Sequence, residues 1–542
     1  MRKKIPFLLL LILIVFSSCN TIRITTNRHD AKMLRIAQQI RNNYVDVVDA
    51  QALTEAAIRG MMNELDPYSR FLNAVQTRNF RDAMQREFFG IGARIIMIAD
   101  TVHVYRFIAD SSPAQKAGLM WGDKIIYVNN TLVAGVETSL QELTELLQGE
   151  RGATVDLRVL RRGTDDLIDF RVAFDRVSLS TIDAAYMLTD NIGFIRLSRF
   201  AVTAHQEFQE AKRMLRAQGM EHLILDLTHN GGGSTNEAIA ISNEFLESGK
   251  LIAYLDGENR RRRTFNTTRR GEMLTGQVVV LVNESTASAS EIVAGALQDW
   301  DRAVVVGRRT AGKGLGQGMF SQANNTSLFL TRERIYIPSG RNIQRPFEEN
   351  DMEAYQERVR NRMYHAENFN VDSIRLDNVP KFNTLVNNRT VFGGGGILPD
   401  YFVVIDSTLV TPMIRNLITR GVVLRVAMFE VVDNRSELLY RYPDIAVFQE
   451  NFQLPENLIN KLKPLAEKKE IEWCDEQFER AYSQIVTELK ASMALGLYDW
   501  QAFNKIRNER STIFQEGLRI ISDPERYENL LRGIGSNVGM RE

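Results

Sequence analysis

Three hydrophobic patterns succeed one another along the chain. Between residues 31 and 64, Leu34, Ile36, Ala37, Ile40 and Tyr44 recur at near-helical spacing, and a second amphipathic run covers Ala52 to Leu65. That run stops at Asp66-Pro67, a turn signal. Between 88 and 175, short β-rich runs (Ala93–Ile98, Val102–Phe107, Lys124–Val128, Thr154–Leu160) alternate with turns around one amphipathic helix, Leu140 to Gln148. From about 190 the pattern becomes βα. Strands are expected at Ile192–Leu197, Leu223–Leu227, Gln277–Asn283 and Ala303–Gly307, with helices at Ala204–Ala217, Asn236–Leu246 and Ser290–Trp300. Strands that are apolar throughout predict a sheet covered on both faces, with reacting groups at the strands' C-terminal ends. Beyond about 405 the chain reads as charged helix to its end, without a chemical motif.

The first residues stand outside these patterns. Arg2, Lys3 and Lys4 precede an apolar run, Ile5 to Phe16, and then Ser17-Ser18-Cys19. That is the layout of a secretory signal, and the run is short for a membrane-spanning helix. Small residues before a cysteine also resemble a bacterial lipobox, which would make Cys19 the lipidated first residue of an exported protein anchored in the cell envelope, on its periplasmic side. An uncleaved signal anchor is the competing reading. The resulting division is a signal peptide (1–19), an N-terminal helical domain (20–85), a β-rich domain (86–176), a βα domain (177–405) and a helical C-terminal domain (406–542).

Composition narrows the function. The 542 residues carry 67 Lys+Arg and 67 Asp+Glu, so formal net charge is zero and the whole-chain electrostatic argument for nucleic acid is gone. Two cysteines and six histidines form no zinc-spaced cluster, so no metal is expected. Cys474 reads as a buried structural thiol, and no cofactor is called for.

Within the β-rich stretch, Phe89-Gly90-Ile91-Gly92-Ala93, Ser112-Pro113-Ala114, Ala117-Gly118-Leu119 and Gly122-Asp123 together resemble a PDZ domain. There a loop, here Gly90, Ile91, Gly92 and Ala93, offers backbone N–H groups to a peptide carboxylate, and the peptide adds a strand to the sheet edge.

In the βα stretch, Asn283 to Glu291 joins a buried strand to a helix through small residues. A hydroxyl there stands where unpaired helix N–H groups carry partial positive charge and can stabilise an oxyanion. Simple capping by Ser290 with Glu291 is the plainer alternative. After the next strand, Thr310-Ala311-Gly312-Lys313-Gly314-Leu315-Gly316-Gln317 fixes a lysine between glycines. To act as a general base, Lys313 must be neutral, its pKa of about 10.4 depressed by burial in an apolar pocket. The stretch from Gly307 to Lys313 also mimics a P-loop, but Gly314 stands where Ser or Thr would bind magnesium. The turn Asp226 to Gly233 could supply one more oxyanion N–H, and His229 within it reads as a solvated turn histidine.

Taken together, these phrases resemble the bacterial carboxy-terminal processing peptidases, or tail-specific proteases, from about residue 31 to 405. Leu65-Asp66-Pro67-Tyr68-Ser69, Gly193-Phe194-Ile195-Arg196-Leu197, Ser288-Ala289-Ser290-Glu291, Gly312-Lys313-Gly314 with Gln317, Pro338-Ser339-Gly340-Arg341 with Ile343-Gln344, and Gly396-Ile397-Leu398-Pro399-Asp400 carry the likeness. The resemblance implies a multidomain α/β protein and a serine endopeptidase with a Ser-Lys dyad. Ser288 would be the nucleophile and Lys313, 25 positions on, the base. Gln317 would orient the lysine, and the amides of Ala289 and Gly232 would form the oxyanion hole. Substrates would be polypeptides with unstructured apolar C-termini, and an adaptor or a second copy is a further partner. Thr228 and Ala311 depart from the family's usual arginine and aromatic, which leaves a peptide-binding scaffold without useful catalysis as the alternative.

Overall fold

The computed structural model describes residues 27–85, 87–98, 100–108, 112–347, 352–361, 365–407 and 411–538. The expected signal sequence and Cys19 lie outside them. The chain divides into two units, Met1–Leu65 and Asp66–Glu542. The first holds two helices, α1 (Arg28–Asn43) and α2 (Ala50–Asn63), N-capped by Asn27 and Asp49. Neither buries a residue, and Leu34, Ile36, Ile40 and Tyr44 leave an apolar stripe exposed on α1.

The second unit starts with a short strand, β1 (Arg70–Leu72). The PDZ-like body follows: β2 (Ala93–Ile98), β3 (Thr101–Phe107), β4 (Lys124–Val128), α3 (Leu140–Leu146), β5 (Thr154–Leu160) and β6 (Leu167–Ala173). The sheet runs in the order β2-β3-β4-β5-β6, so β2 is an edge. Helix α3 opens with a full capping box, Ser139 and Glu142 each bonding the other's amide.

The catalytic body is built from β7 (Ile182–Met187), β8 (Ile192–Leu197), α4 (Ala204–Ala217), β9 (His222–Asp226), α5 (Thr235–Asn243), β10 (Leu251–Gly257), β11 (Arg260–Asn266), β12 (Val278–Val282), α6 (Ala289–Asp299), β13 (Val304–Gly307), β14 (Leu315–Ser321), β15 (Ser327–Tyr336) and β16 (Tyr401–Phe402). The main sheet is β7-β8-β9-β12-β13-β16, parallel from β8 onward. Because the order advances in one direction, right-handed crossovers put α4, α5 and α6 on a single face. Their Phe208, Ile241, Ile292 and Val293 pack there on Leu225, Val280 and Val305.

The opposite face, Phe194, Ile224, Val279, Leu281, Val304 and Val306, is covered from the far end of the chain. Beyond 405 the helices include α7 (Val422–Arg441), α8 (Tyr482–Leu497), α9 (Trp500–Asn508), α10 (Thr512–Ile521) and α11 (Pro524–Leu531). Ile513, Phe514 and Ile520 of α10, with Tyr527 and Leu530 of α11, supply that layer. The last stretch of 406–542 is therefore part of the catalytic core. Helices α7 and α8 instead form a core of their own that takes in Ile96, Ile98 and Tyr105 of the PDZ-like sheet. Cys474 is half-buried just ahead of a short helix, not a buried thiol within one.

A second sheet, β1-β15-β10-β11 with β14 on β15, was not expected from the sequence. Between Gln344 and Gly396 the chain makes a long excursion. It returns to where it left: Gly394 N donates to Asn342 O (2.7 Å) and Gly396 N to Ile343 O (2.9 Å).

Candidate active site

Ser288 ends the turn after β12 and immediately precedes α6, with φ +58°. A non-glycine residue in that region is strained by about 1 kcal/mol or more, and here the strain lies at the candidate nucleophile. The structure separates the three serines of the turn. Ser290 is fully buried and donates its hydroxyl to Asn230 O (2.9 Å), so it does not cap the helix. Ser285 is exposed. Ser288 alone stands half-buried at the helix mouth, next to Ala289, whose amide has no acceptor among the described residues.

Glu291, fully buried at the third position of α6, organises the site. Its Oε2 accepts from the amides of Ser288 (2.8 Å) and Lys313 (2.9 Å). Its Oε1 accepts from the Thr310 hydroxyl (2.5 Å) and the amide of Gly312 (2.7 Å). One carboxylate thus fastens the nucleophile turn to the lysine turn. Thr286 adds two more ties, its hydroxyl to Leu227 O (2.9 Å) and its carbonyl to Ala311 N (2.7 Å). The sequence reading gave Glu291 only a capping role. The Ser-x-x-Glu spacing was the available signal, but the contacts with residues 310–313 join segments that no local pattern connects.

Lys313 Nζ lies 4.9 Å from the centre of the Tyr68 ring. Tyr68 is the aromatic that borders the lysine. Enclosure lowers the lysine's pKa, and Arg70 and Arg199 push the same way, against Glu291 and Asp66. Tyr68 is held by its hydroxyl, 2.6 Å from that of Tyr355, and by the Asp66–Ser69–Thr331 network that pins this segment to β15. Gln317 sits on β14, where its amide nitrogen donates to Leu315 O (2.9 Å) and Thr331 Oγ1 (3.3 Å), not to the lysine. No hydrogen bond joins Ser288 Oγ to Lys313 Nζ in this structure.

The glycine turn lies against the serine. At Gly232, φ is +91° and a Cβ would stand 2.6 Å from Ala287 O, 2.8 Å from Ser288 Cβ and 2.9 Å from Ala289 N. Only glycine allows this approach. Its amide, however, donates to Asn230 Oδ1 (2.9 Å), whereas Gly231 and Gly233 have amides without an acceptor among the described residues. As an oxyanion donor, Gly232 would have to release Asn230 first.

Behind both turns lies a cavity of about 490 Å³, shared with α8, α9 and the start of α10. His229, with φ +60°, faces it. The residue is exposed, as expected of a turn histidine, and it also touches Asn283: its Nε2 lies 3.0 Å from Asn283 Nδ2, and its amide donates to Asn283 Oδ1 (2.9 Å). At Thr228, where the resemblance leads one to expect arginine, the guanidinium of Arg196 reaches the turn instead. It pairs with Asp226 and donates to Thr228 Oγ1 (3.0 Å) and Thr228 O (3.2 Å).

On the PDZ-like body, a groove of about 230 Å³ runs between β2 and the helix side, lined by Ile91, Gly92, Ala93, Ile95, Leu140 and Leu147. Ile91 N donates to Leu147 O (3.3 Å), while the Gly92 amide has no acceptor among the described residues. No cluster of His, Cys, Asp or Glu among the described residues could hold a metal.

A serine on a helix mouth, an enclosed lysine tied to it through one carboxylate, and a peptide groove upstream define the class: a serine peptidase coupled to a PDZ domain. The chain belongs to peptidase family S41, the carboxy-terminal processing proteases, which matches residues 191–354. A PDZ domain matches 90–172, the N-terminal domain of the activating protease CtpB matches 19–76, and a family of unknown function matches 413–499. The carboxy-terminal-processing protease of Bartonella bacilliformis is 32% identical over 337 residues, 59% of this chain and 75% of that protein. The processing protease CtpA of Bacillus subtilis is 33% identical over 301 residues, 55% of this chain and 63% of its own length. Among solved structures, the photosystem II D1 C-terminal processing protease is similar at 26% identity with a TM-score of 0.34, over 59% of this chain and 91% of that one.

Proposed function

We propose that this chain is an exported, lipid-anchored endopeptidase that cuts polypeptides near their C-terminal tails. The single observation that carries the reading is the Glu291 carboxylate, bonded at once to the amides of Ser288 and Lys313. Neutral Lys313 takes the Ser288 hydroxyl proton as Oγ attacks the substrate carbonyl. The Ala289 amide, with one from the 231–233 turn, receives the developing negative oxygen. Lys313 then returns the proton to the leaving amine, the C–N bond breaks, and water hydrolyses the acyl-serine. The lowered pKa of Lys313 supports this role, because a base must be unprotonated to begin.

The open edge of β2 and the unspent Gly92 amide support recognition of a tail by strand addition in the PDZ groove. The unformed bond between Ser288 and Lys313 is a resting arrangement that a docked tail closes. Arg2 to Cys19 support export and lipidation at Cys19. The exposed stripe on α1 supports a second copy or an adaptor as partner.

The test is cleavage of an unfolded reporter with an apolar tail by residues 20–542, as wild type, Ser288→Ala and Lys313→Ala. Folded variants should retain less than about 0.1% of the wild-type rate. The wild-type rate should rise with pH and level off, with its midpoint below that of an ordinary lysine because enclosure lowers the Lys313 pKa. Either variant cutting at the wild-type rate refutes the dyad.

A further inference from the structure

Arg345 is out of keeping with its surroundings. Its side chain is half-buried, yet among the described residues it has no ion pair and no hydrogen bond. A half-buried guanidinium that lines a cavity without an ion pair is placed to take one from a ligand. Burial pulls its pKa below the usual arginine value. The side chain lines a cavity of about 380 Å³ with Arg309, His365, Glu367, Arg375 and the Gly394-Gly395 backbone. Three arginines face one carboxylate there, and that carboxylate, Glu367, is paired with Arg309 at 3.2 Å. Among the described residues the pocket lining therefore carries excess positive charge.

Its position gives the charge a use. Arg345 N donates to Gly312 O (2.9 Å), and Gln344 Oε1 accepts from the Gly314 amide (2.8 Å), so this segment flanks Lys313 on both sides. Gly395, which lines the cavity, lies against Gly312, where a Cβ would stand 3.1 Å from Gly395 C. The pocket thus adjoins the backbone of the lysine turn, and residues 365–375 supply much of its remaining lining.

We propose that this pocket is a specificity subsite that receives a carboxylate of the bound polypeptide, with Arg345 as its recognition residue. The inference rests on the dyad reading of Ser288 and Lys313. An ionised carboxylate supplies the missing partner, and a charge-assisted bond of this kind favours its substrate by roughly ten- to a hundredfold. The carboxylate is either the tail's own terminus or an Asp or Glu side chain near the cleaved bond, and the two are separable.

The experiment measures kcat/KM of residues 20–542 on two reporter pairs, one differing only in a free or amidated C-terminus and one only in Glu or Gln beside the cleaved bond. Each pair gives a preference ratio for wild type, Arg345→Gln and Arg345→Lys. Contributions of the unchanged PDZ groove cancel when the ratios are compared between enzymes. We expect Arg345→Gln to reduce one ratio at least about tenfold, and Arg345→Lys to restore part of it. Loss in the first pair assigns the terminus, and loss in the second assigns an acidic side chain. Unchanged ratios in both pairs overturn the subsite. Failure of the dyad reading would show separately, as cleavage of all four reporters by Ser288→Ala.

Discussion

Replacing Glu291 by Gln tests the feature on which the site reading turns. The carboxylate accepts four hydrogen bonds, two per oxygen, and an amide accepts on one oxygen only. If the new NH2 faced Ser288 N and Lys313 N, both catalytic amides would lose their acceptor. Facing the other way is cheaper, because the Thr310 hydroxyl can turn to accept from the new NH2, which leaves Gly312 N unpaired and the hydroxyl proton without its acceptor. Those two donors cost about 1–3 kcal/mol each, and the two bonds kept by the amide oxygen lose their charge assistance, about 1 kcal/mol each. The sum is about 4–8 kcal/mol, confined to the contact that holds the serine and lysine turns together. Calorimetry should therefore show the main transition of the soluble chain falling by roughly 10 °C. Cleavage should lose about 100-fold or more in kcat with little change in KM, because the bonds position reacting groups and do not bind substrate. A variant that melts and cuts like wild type would refute the view that Glu291 couples the two turns.

Gly232→Ala places a Cβ at φ +91° within 3 Å of Ala287 O and Ala289 N, which are backbone atoms that cannot move aside cheaply. We expect kcat to fall about 100-fold while the PDZ groove keeps its peptide affinity, measured by calorimetric titration on the same sample. His103, buried in β3 with Nδ1 unpartnered, is held neutral, its pKa pushed down to about 4 by burial and then by Lys124. The unfolded chain therefore binds the extra proton first. Stability is lost as pH falls from about 6.5 toward 4, by about 2 kcal/mol between pH 7 and 5. Melting curves at those two pH values should converge in His103→Gln, and an equal acid loss in both proteins would exclude the histidine as its source.

The parts legible in the sequence are those whose burial is two-sided. Leu223 to Leu227 and Val278 to Val282 are apolar without interruption because α4–α6 cover one face and α10–α11 the other, and uninterrupted apolar strands are recognisable from pattern alone. The second sheet was not legible for the opposite reason. Arg260–Asn266 reads RRRRTFN and is mostly exposed, and Leu315–Ser321 is broken by two glycines. These strands are held by hairpin pairing with their neighbours Leu251–Gly257 and Ser327–Tyr336, and not by a hydrophobic face of their own, so no apolar run marks them.

The candidate site divides along the same line. Ser288 and Lys313 stand out because each sits in a small-residue turn at the end of an apolar strand, in phrases that resemble those of a known family. Glu291 as a tie between turns, Tyr68 as the lysine's aromatic neighbour and Arg345 as an unpartnered charge come from contacts between segments that nothing in their own spacing connects. The end of the chain makes the point most directly. Phe514 and Tyr527 lie in ordinary amphipathic helices, yet Phe514 packs on Phe194 at 5.4 Å between ring centres, and the Tyr527 hydroxyl lies 3.1 Å from Val278 N, on the sheet that carries Ser288. Amphipathicity says that a helix covers something. Only the fold says that what it covers is the back of the sheet that carries Ser288, so the charged helices that carried no chemical motif complete the core behind the candidate site.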